Sequence, residues 1–350
     1  MTGQAPATGG GQAILAVRLS SLGDIVLAFP ALQAIKAKHP GAELTVLTKA
    51  TFAPLLQAHP AVDRVLPVDD GGGQGALART VRRMRAGRFA GAYDLHAKFR
   101  SWSLLKLARV PVWGQVRTRA LARWWLVLCG HARRLFGRDA PAGAARGTGT
   151  PLAALAMAQA VAPGFRLADL TPIELQLPMA SPWPVAPGKL RIALCPGARH
   201  ATKAWPGFAE LAALLAARGE SVRVILGPGD TWPGVPGVTT STGELLELAA
   251  SLRAADLAIG NDSGLTHLAV AAGTPALVLF GPTVPALGFL PVGSHRVLER
   301  PELGCRPCAV HGGEHCPRGD HACLAEITAA NVLSVLDGWI GGRDRQRGSD

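Results

Sequence analysis

LAIGNDSGLTHLAVAAGTPALVLFG, residues 257–281, is the segment from which the fold of this chain can be worked out. An apolar run ends in the polar turn GNDSG, a run of small helix-forming residues follows, and a second apolar run begins after Pro275. This order predicts a strand, a tight turn, a helix and a second strand. The free N–H groups and the dipole at a helix start favour an anion, such as the phosphates of a nucleotide. The alternative is that Asp262 or Ser263 only caps the helix.

The same alternation of short apolar runs and helical patterns extends over both halves of the chain. It predicts an α/β fold with parallel sheets. We expect the basic stretch at 99–150 to be less regular. Further strands are predicted at 14–17, 43–47, 63–67, 92–96, 191–194, 221–226 and 256–259.

A Pro-rich segment at 178–189 separates the two halves and is a plausible interdomain linker. Two doubly wound, Rossmann-like domains joined in this way place a ligand in the cleft between them, at the carboxyl ends of the strands. The predicted division is a disordered leader at 1–12, a first domain at 13–177, the linker at 178–189, a second domain at 190–340 and a disordered tail at 341–350.

Composition favours an anionic partner. The 350 residues carry 36 Lys and Arg against 24 Asp and Glu, which gives a net charge of +12. Nucleic acid is the weaker choice, and we expect none as a partner, because the basic residues are not interleaved with a stacking platform of aromatic side chains, with one Tyr and nine Phe in all. The sequence contains no run of eighteen apolar residues, so no membrane-spanning helix is predicted. The small, polar start lacks an export signal, so we expect a cytoplasmic protein with reduced cysteines.

A second polar turn follows the first predicted strand. It reads Arg18-Leu19-Ser20-Ser21-Leu22-Gly23-Asp24 and contains neither the GxGxxG nor the GxxxxGK[ST] pattern. This argues against a dinucleotide oxidoreductase and a P-loop NTPase. Gly23 allows a close backbone approach, and Asp24 begins a helix. The alternatives are that Asp24 is an ordinary helix cap and that Arg18 is a solvated strand end.

Four segments in order resemble glycosyltransferase family 9, the bacterial ADP-heptose:lipopolysaccharide heptosyltransferases. They are Arg18-x-Ser20-Ser21-x-Gly23-Asp24, RIALCPGARHATKAWP at 191–206, GNDSGLTHLA at 260–269 and FGPT at 280–283. The resemblance implies a GT-B architecture of two Rossmann-like domains, with the acceptor on the first and the nucleotide-sugar on the second. It implies inverting, metal-independent transfer of heptose from ADP-heptose to Kdo-lipid A or a heptosylated core, without a catalytic cofactor. Another sugar or acceptor, or a non-catalytic relative, remains an alternative.

The resemblance also implies roles for individual residues. Asp24 is the expected general base, and we expect partial burial to raise its pKa towards the working range. Lys203 is expected to contact the donor diphosphate. The remaining candidates for the donor side are Asp230, Asp262, Ser263, Gly264, Leu265 and His267, and those for the acceptor side are Arg18, Ser20, Ser21 and Gly23.

The stretch at 98–138 combines many Arg with several Trp. Arg suits the phosphate and carboxylate groups of a lipopolysaccharide core precursor. Arg117, Arg119 and Arg123 are therefore candidate acceptor contacts, and the surface is expected to bind the inner face of the inner membrane peripherally. The alternative is a solvated basic helix.

Four of the six cysteines, Cys305, Cys308, Cys316 and Cys323, lie close together in a Gly- and Pro-containing segment. Their spacing makes them candidate ligands of a structural zinc ion. Reduced thiols without metal, and disulfides, remain alternatives.

Overall fold

The computed structural model describes residues 11–68, 74–117, 120–136 and 150–347. Residues 1–10 of the predicted leader, Arg119 and residues 348–350 lie outside this part of the chain. Two parallel sheets, each covered by helices, make up the described protein.

The first sheet has five parallel strands in the order β3-β2-β1-β4-β5. Side chains of β1 alternate between two cores, with Ile14 on one face and Leu15 on the other. Both faces are buried because helices cover each of them. The strands are β1 (Ala13–Val17), β2 (Glu43–Lys49), β3 (Arg64–Val68), β4 (Gly91–Asp94) and β5 (Val112–Gln115).

The helices of the first half include two in the stretch that the sequence predicted to be less regular. That prediction is wrong for the described part of 99–150, which forms a helix, an edge strand and a second helix. Its strand, β5, is four residues long and half exposed, so its period-two pattern is weak. The helices are α1 (Leu22–Leu27), α2 (Phe29–Lys38), α3 (Ala53–Gln57), α4 (Gln74–Ala86), α5 (Phe99–Ala108), α6 (Ala120–Phe136) and α7 (Leu152–Val161).

The second sheet has six parallel strands in the order β11-β10-β9-β6-β7-β8. The central strands β9 and β10 are buried at every position. The sequence missed β8 and β11 because these edge strands are short or half exposed. The strands are β6 (Arg191–Cys195), β7 (Ser221–Ile225), β8 (Thr239–Ser241), β9 (Leu257–Asn261), β10 (Ala276–Phe280) and β11 (His295–Glu299).

The helices around the second sheet are α8 (Phe208–Ala217), α9 (Leu245–Arg253), α10 (Gly264–Ala271), α11 (Ala322–Ala325) and α12 (Ala329–Arg347). The last of these helices continues to Arg347, into the segment that the sequence predicts to be a tail from residue 341. Arg and Gln, which dominate the end of α12, are good helix formers, and basic side chains favour a helix carboxyl end. No helix in the described ranges has the length and apolar character needed to cross a membrane.

The predicted linker, residues 178–189, contains neither helix nor strand and lies against the second sheet. Trp183 is buried, and its indole Nε1 donates to Ser221 Oγ at 3.0 Å. The guanidinium of Arg223 lies 4.3 Å from the Trp183 ring centre and donates to the Pro182 carbonyl. These contacts fix the segment on the second half of the chain.

Candidate active site

A cavity of about 1350 Å³ lies between the two halves and is lined by both. The loops that line it follow β1, β4, β6, β7 and β9, at the carboxyl ends of the strands, where doubly wound folds bind ligands. The predicted residues that line it are Arg18, Ser20, Ser21, Gly23, Asp24, Arg117, Arg123, Lys203, Asp230, Asp262, Ser263, Gly264, Leu265 and His267.

Asp24 is held at the start of α1 by contacts to a single carboxylate oxygen. Its Oδ2 accepts hydrogen bonds from the Ser21 N–H at 3.2 Å and the Ser21 hydroxyl at 3.1 Å. Arg18 Nη2 lies 2.7 Å from the same oxygen. Oδ1 makes no hydrogen bond or ion pair with the described residues. The second oxygen is therefore the one that can accept a proton from a ligand.

The pKa of Asp24 differs in direction from the sequence expectation. Burial alone raises the pKa, but the charge of Arg18 and the hydrogen bonds from Ser21 and Arg18 outweigh it, so the net pKa lies below the ordinary value of 3.8. The prediction of a raised pKa is wrong because it considered burial without the arginine. Asp24 does cap its helix, through the Ser21 N–H, and it lines the cavity at the same time.

Arg18 is not a solvated strand end, which was the alternative interpretation of the sequence. Its side chain is only 12% exposed, and Nη1 donates to the Leu95 carbonyl at 2.6 Å. The loop after β4 that carries Leu95 is fixed by the buried Asp94, whose carboxylate accepts from the N–H groups of His96 and Ala97. The end of β4 therefore positions the guanidinium that contacts Asp24.

His96, in the same loop, also lines the cavity. Its Nδ1 is buried and without a hydrogen-bond partner in the described structure. Burial lowers the pKa of His96 to about 4, so the ring is neutral at pH 7. A neutral imidazole with an unpaired nitrogen can donate to or accept from a ligand hydroxyl.

On the opposite wall, Lys203 forms an ion pair with Asp262. Lys203 Nζ lies 2.6 Å from Asp262 Oδ2, and both side chains are largely buried, at 14% and 6% exposure. The hydroxyl of Thr283 donates to the same oxygen at 2.8 Å. Asp262 therefore orders the lysine and the turn, and both of its contacts are on the same oxygen.

The start of α10 is open to a ligand. Ser263 is the N-cap residue, but its hydroxyl makes no capping bond, and its Oγ is buried without a described partner. Asp262 is occupied by Lys203 and Thr283. The capping alternative for both side chains is therefore not what the structure shows. First-turn N–H groups of a helix lack intrahelical partners and can receive an anion.

His267 lies one turn into α10 and is buried. Burial lowers its pKa to about 4, against the opposing charge of Asp262, so it is neutral at pH 7. Its Nδ1 has no described hydrogen-bond partner. Its ring lies against Gly23 of the other half, where an added Cβ would be 3.1 Å from the imidazole Cδ2.

Asp230 lies in the turn after β7. Its Oδ2 accepts the Gly227 N–H at 2.8 Å. A Cβ on Gly197 would lie only 2.1 Å from that oxygen, so the carboxylate packs directly on the turn after β6. Asp230 and Leu265 line the same cavity, and Asp230 Oδ2 is engaged by its own turn. Its role on the donor side stays a prediction.

Of the three candidate acceptor arginines, Arg119 lies outside the described residues. Arg117 lines the cavity. Arg123 lines it too, and it also joins α6 to the second half of the chain. Its Nε donates to the Leu287 carbonyl at 3.0 Å, and its guanidinium lies 4.3 Å from the Phe289 ring centre.

The four clustered cysteines lie outside this cavity and line a separate small pocket. Among the described residues these four cysteines form no disulfide, so the disulfide alternative is not what the structure shows. Within the described ranges no group of three or more His, Cys, Asp or Glu is placed as metal ligands. The thiols therefore share a pocket without converging on one point.

The cysteine segment also packs against Lys203 and its neighbour Thr202. Sequence reasoning did not predict this contact. Thr202 exchanges hydrogen bonds with Gly313, accepting from its N–H and donating to its carbonyl, both at 2.8 Å. A Cβ on Gly312 would lie 2.9 Å from Lys203 Cγ, so the Gly312 backbone packs closely on the aliphatic part of the Lys203 side chain.

Arg306, between two of the cysteines, is a second residue that the sequence did not reveal. It is 2% exposed and pairs with Glu299 at 2.9 Å. Its guanidinium donates to the Phe280, Gly281 and Thr283 carbonyls. Since Thr283 holds Asp262, Arg306 fixes the loop that orders the Lys203 pair. A surface arginine has the same local sequence pattern, so only the fold distinguishes it.

The architecture is that of the GT-B glycosyltransferases, as the sequence predicted. The chain superposes on the structure of E. coli ADP-heptose lps heptosyltransferase II with a TM-score of 0.66 and 21% identity, over 95% of this chain and 100% of that chain. The glycosyltransferase family 9 (heptosyltransferase) model matches residues 77–314. The chain belongs to this family and is a glycosyltransferase, which confirms the predicted family and enzyme class.

Two further relatives are informative. Lipopolysaccharide heptosyltransferase 2 of Salmonella typhimurium is 29% identical over 360 residues, covering 92% of this chain and 97% of the relative. The structure of the iron-containing dodecameric glycosyltransferase TibC from enterotoxigenic E. coli has a TM-score of 0.57 at 18% identity, over 93% of this chain and 78% of TibC.

The Arg18–Asp24 contact has a measurable consequence for titration. Because the folded pKa of Asp24 is lowered, its ionised form stabilises the fold above about pH 4, and this contribution is lost as the pH falls through the folded pKa. We expect Arg18→Met to raise the pKa of Asp24, since burial then acts with less opposition. Carboxyl ¹³C NMR of labelled aspartate measures the shift.

Arg64→Met is the matched control, because Arg64 pairs with Glu43 at the exposed edge of the first sheet. This variant should leave the Asp24 titration unchanged. An Asp24 pKa that is unaffected by Arg18→Met would contradict the assigned cause.

Proposed function

We propose that this enzyme transfers heptose from ADP-heptose to the lipopolysaccharide inner core, with inversion and without a catalytic metal ion. The observation that carries the proposal is the placement of Asp24 on one wall of the cavity and of Lys203 and the α10 start on the other. Inverting transfer from a nucleoside diphosphate sugar requires a carboxylate for the acceptor hydroxyl and a positively charged site for the leaving diphosphate, both facing one space.

Asp24 acts as the general base in this proposal. The acceptor hydroxyl gives its proton to Oδ1 as its oxygen bonds to the anomeric carbon. The bond from that carbon to the diphosphate breaks, and ADP leaves with the electron pair. The low pKa makes Asp24 a weak base, so its contribution comes from position and from taking the proton as the new bond forms. Arg18 keeps the carboxylate ionised at neutral pH.

The leaving diphosphate is stabilised by the opposite wall. Lys203 carries three N–H donors, and its pairing with Asp262 leaves others for phosphate oxygens. The N–H groups at the start of α10 point their dipole at the same place. The unpaired Ser263 Oγ and His267 Nδ1 are further polar groups for the donor. This set supplies the charge stabilisation that a divalent ion gives in other transferases.

Arg117 and Arg123 line the cavity and are the groups that we assign to the acceptor, while Arg18 beside them holds Asp24. Guanidinium groups bind carboxylates and phosphates in pairs of hydrogen bonds, and Kdo-lipid A presents both groups. We therefore assign Kdo-lipid A or a heptosylated core as the acceptor class, and the inner face of the inner membrane as the place of the reaction. A family 9 transferase with a different nucleotide-sugar, or a binding protein without turnover, is the competing function.

Donor identity is tested by calorimetry with ADP-heptose, ADP, UDP and GDP. We expect ADP-heptose to bind most tightly. Lys203→Ala should weaken ADP binding roughly tenfold or more, because a charge-assisted hydrogen bond contributes about 1.5–3 kcal/mol. Lys189→Ala is the control, since Lys189 pairs with Glu220 away from the cavity. Preference for UDP or GDP would contradict the donor, and unchanged ADP affinity would contradict the role of Lys203.

Turnover is tested with Asp24→Asn, which keeps the shape of the side chain and removes its charge. We expect kcat to fall roughly 100-fold or more, with ADP affinity nearly unchanged, because the acceptor hydroxyl loses its base. Mass spectrometry of a delipidated core acceptor measures the transfer. Asp63→Asn, at the far edge of the first sheet, is the control. Near-normal turnover of Asp24→Asn would rule out the base, and a wild-type enzyme without turnover would favour the binding protein.

We also propose that Cys305, Cys308, Cys316 and Cys323 bind a structural zinc ion. Four cysteines lining one pocket suit a soft metal ion, which binds them as thiolates. The thiols would have to turn towards one another to bind it. Elemental analysis of the purified protein should find about one zinc per chain. The double variant Cys305→Ser/Cys308→Ser should lose it, whereas Cys129→Ser should not.

A protein without bound metal would contradict this site. Iron in place of zinc, as in the iron-containing TibC, would contradict the choice of metal.

A further inference from the structure

Helix α6 presents an apolar stripe to solvent. Leu121 is 84% exposed, Trp124 59%, Trp125 63% and Leu128 41%. At about 100° per residue, these four positions fall within an arc of about 100°, the width of a core-facing helix stripe. Such a stripe is normally buried against another surface, but in the described part of the chain these four side chains remain exposed.

The opposite face of α6 is attached to the protein. Arg123, Leu126 and Val127 are half-buried on that side. Arg123 contacts the Leu287 carbonyl and the Phe289 ring of the second half of the chain. This anchor fixes the rotation of the helix, so the stripe is directed outward by the fold.

The stripe borders the mouth of the cavity. Trp124, Arg117 and Arg123 all line the cavity wall. A second exposed aromatic pair begins on the same rim, because Lys98 lines the cavity and Phe99 follows it at 80% exposure. Trp102, half exposed, lies 5.7 Å from Phe99 between ring centres, and Lys106 Nζ lies 5.5 Å from the Trp102 ring centre.

Charge selects the occupant of this surface. Arg117 lines the cavity wall with Trp124, Lys106 lies against the Trp102 ring, and the chain carries a net charge of +12. A second copy of the chain would bring the same positive charge, whereas an anionic lipid surface is complementary. Trp and Leu beside Arg and Lys is the composition of helices that lie in the headgroup region of a bilayer.

We propose that α6, with Phe99 and Trp102 of α5, is a docking surface for an anionic bilayer, which places the mouth of the cavity at the lipid headgroups. This inference rests on the proposed function, because it explains how a lipid-linked acceptor reaches Asp24. The acceptor headgroup enters the cavity past Arg117 while its lipid chains stay in the membrane.

Vesicle co-sedimentation tests the surface. Wild-type enzyme should bind vesicles of phosphatidylcholine with added phosphatidylglycerol, bind pure phosphatidylcholine weakly, and detach as salt is raised. The double variant Leu121→Ser/Trp125→Ser should bind the anionic vesicles roughly tenfold less. The control Leu167→Ser/Met179→Ser removes two exposed apolar side chains elsewhere and should bind like wild type.

A second measurement separates docking from folding and from the reaction itself. Leu121 and Trp125 do not line the cavity, so their variant should keep wild-type ADP affinity and turnover with a delipidated core acceptor. It should lose turnover with acceptor embedded in vesicles. Failure of the proposed function would instead remove turnover with the soluble acceptor in every variant.

Three results would overturn the docking surface. They are undiminished vesicle binding by Leu121→Ser/Trp125→Ser, equal binding to neutral and anionic vesicles, and wild-type self-association in light scattering that the same variant abolishes. The last result would assign the stripe to a second copy of the chain.

Discussion

The close approach of α1 and α10 is the constraint on which the site depends. Gly23 lies against the ring of His267, and a Cβ on Gly264 would be 2.8 Å from the Cβ of Leu22. Two helix starts from two separate sheets can come this near only where side chains are absent. Because each start carries a functional group, the contact brings the carboxylate of Asp24 and the anion site of α10 to one space. The glycines are therefore part of the active-site geometry as well as of the turns.

The charges in this space are compensated before any ligand enters. Asp24 pairs with Arg18, and Lys203 pairs with Asp262. Each pair is tied to backbone or hydroxyl groups, through Leu95 on one wall and Thr283 on the other. Buried charges are tolerated only with such partners. The same pairing holds the groups in place, so that little reorganisation is needed when charge develops during transfer. His96, which is half-buried, and His267, which is buried, are neutral at pH 7 and add polar groups to the cavity wall without net charge.

The features that could be predicted from the sequence are those set by neighbouring residues, namely apolar strands and the polar turns that follow them. Central strands such as β9 and β10 are apolar along their whole length, and their turns carry the motif residues, so both the GT-B fold and the residues around the cavity were predictable. Edge strands β5, β8 and β11 carry no such signal because one side meets solvent. The pairing of Lys203 with Asp262 joins distant segments and is set by tertiary packing. The pKa of Asp24 was misjudged for the same reason, since the orientation of Arg18 is fixed by the Leu95 carbonyl.

The basic, Trp-containing stretch shows how one sequence pattern divides into different structural roles. Arg123 faces inward and joins α6 to the loop at 285–289, which follows the segment where Thr283 contacts Asp262. Its neighbours Trp124 and Trp125 face outward because of that anchor. Composition alone could not separate the two, since a solvated basic helix has the same residues. The helical period, combined with one inward contact, decides that the arginine shapes the cavity wall and that the aromatic residues beside it remain for a partner outside the protein.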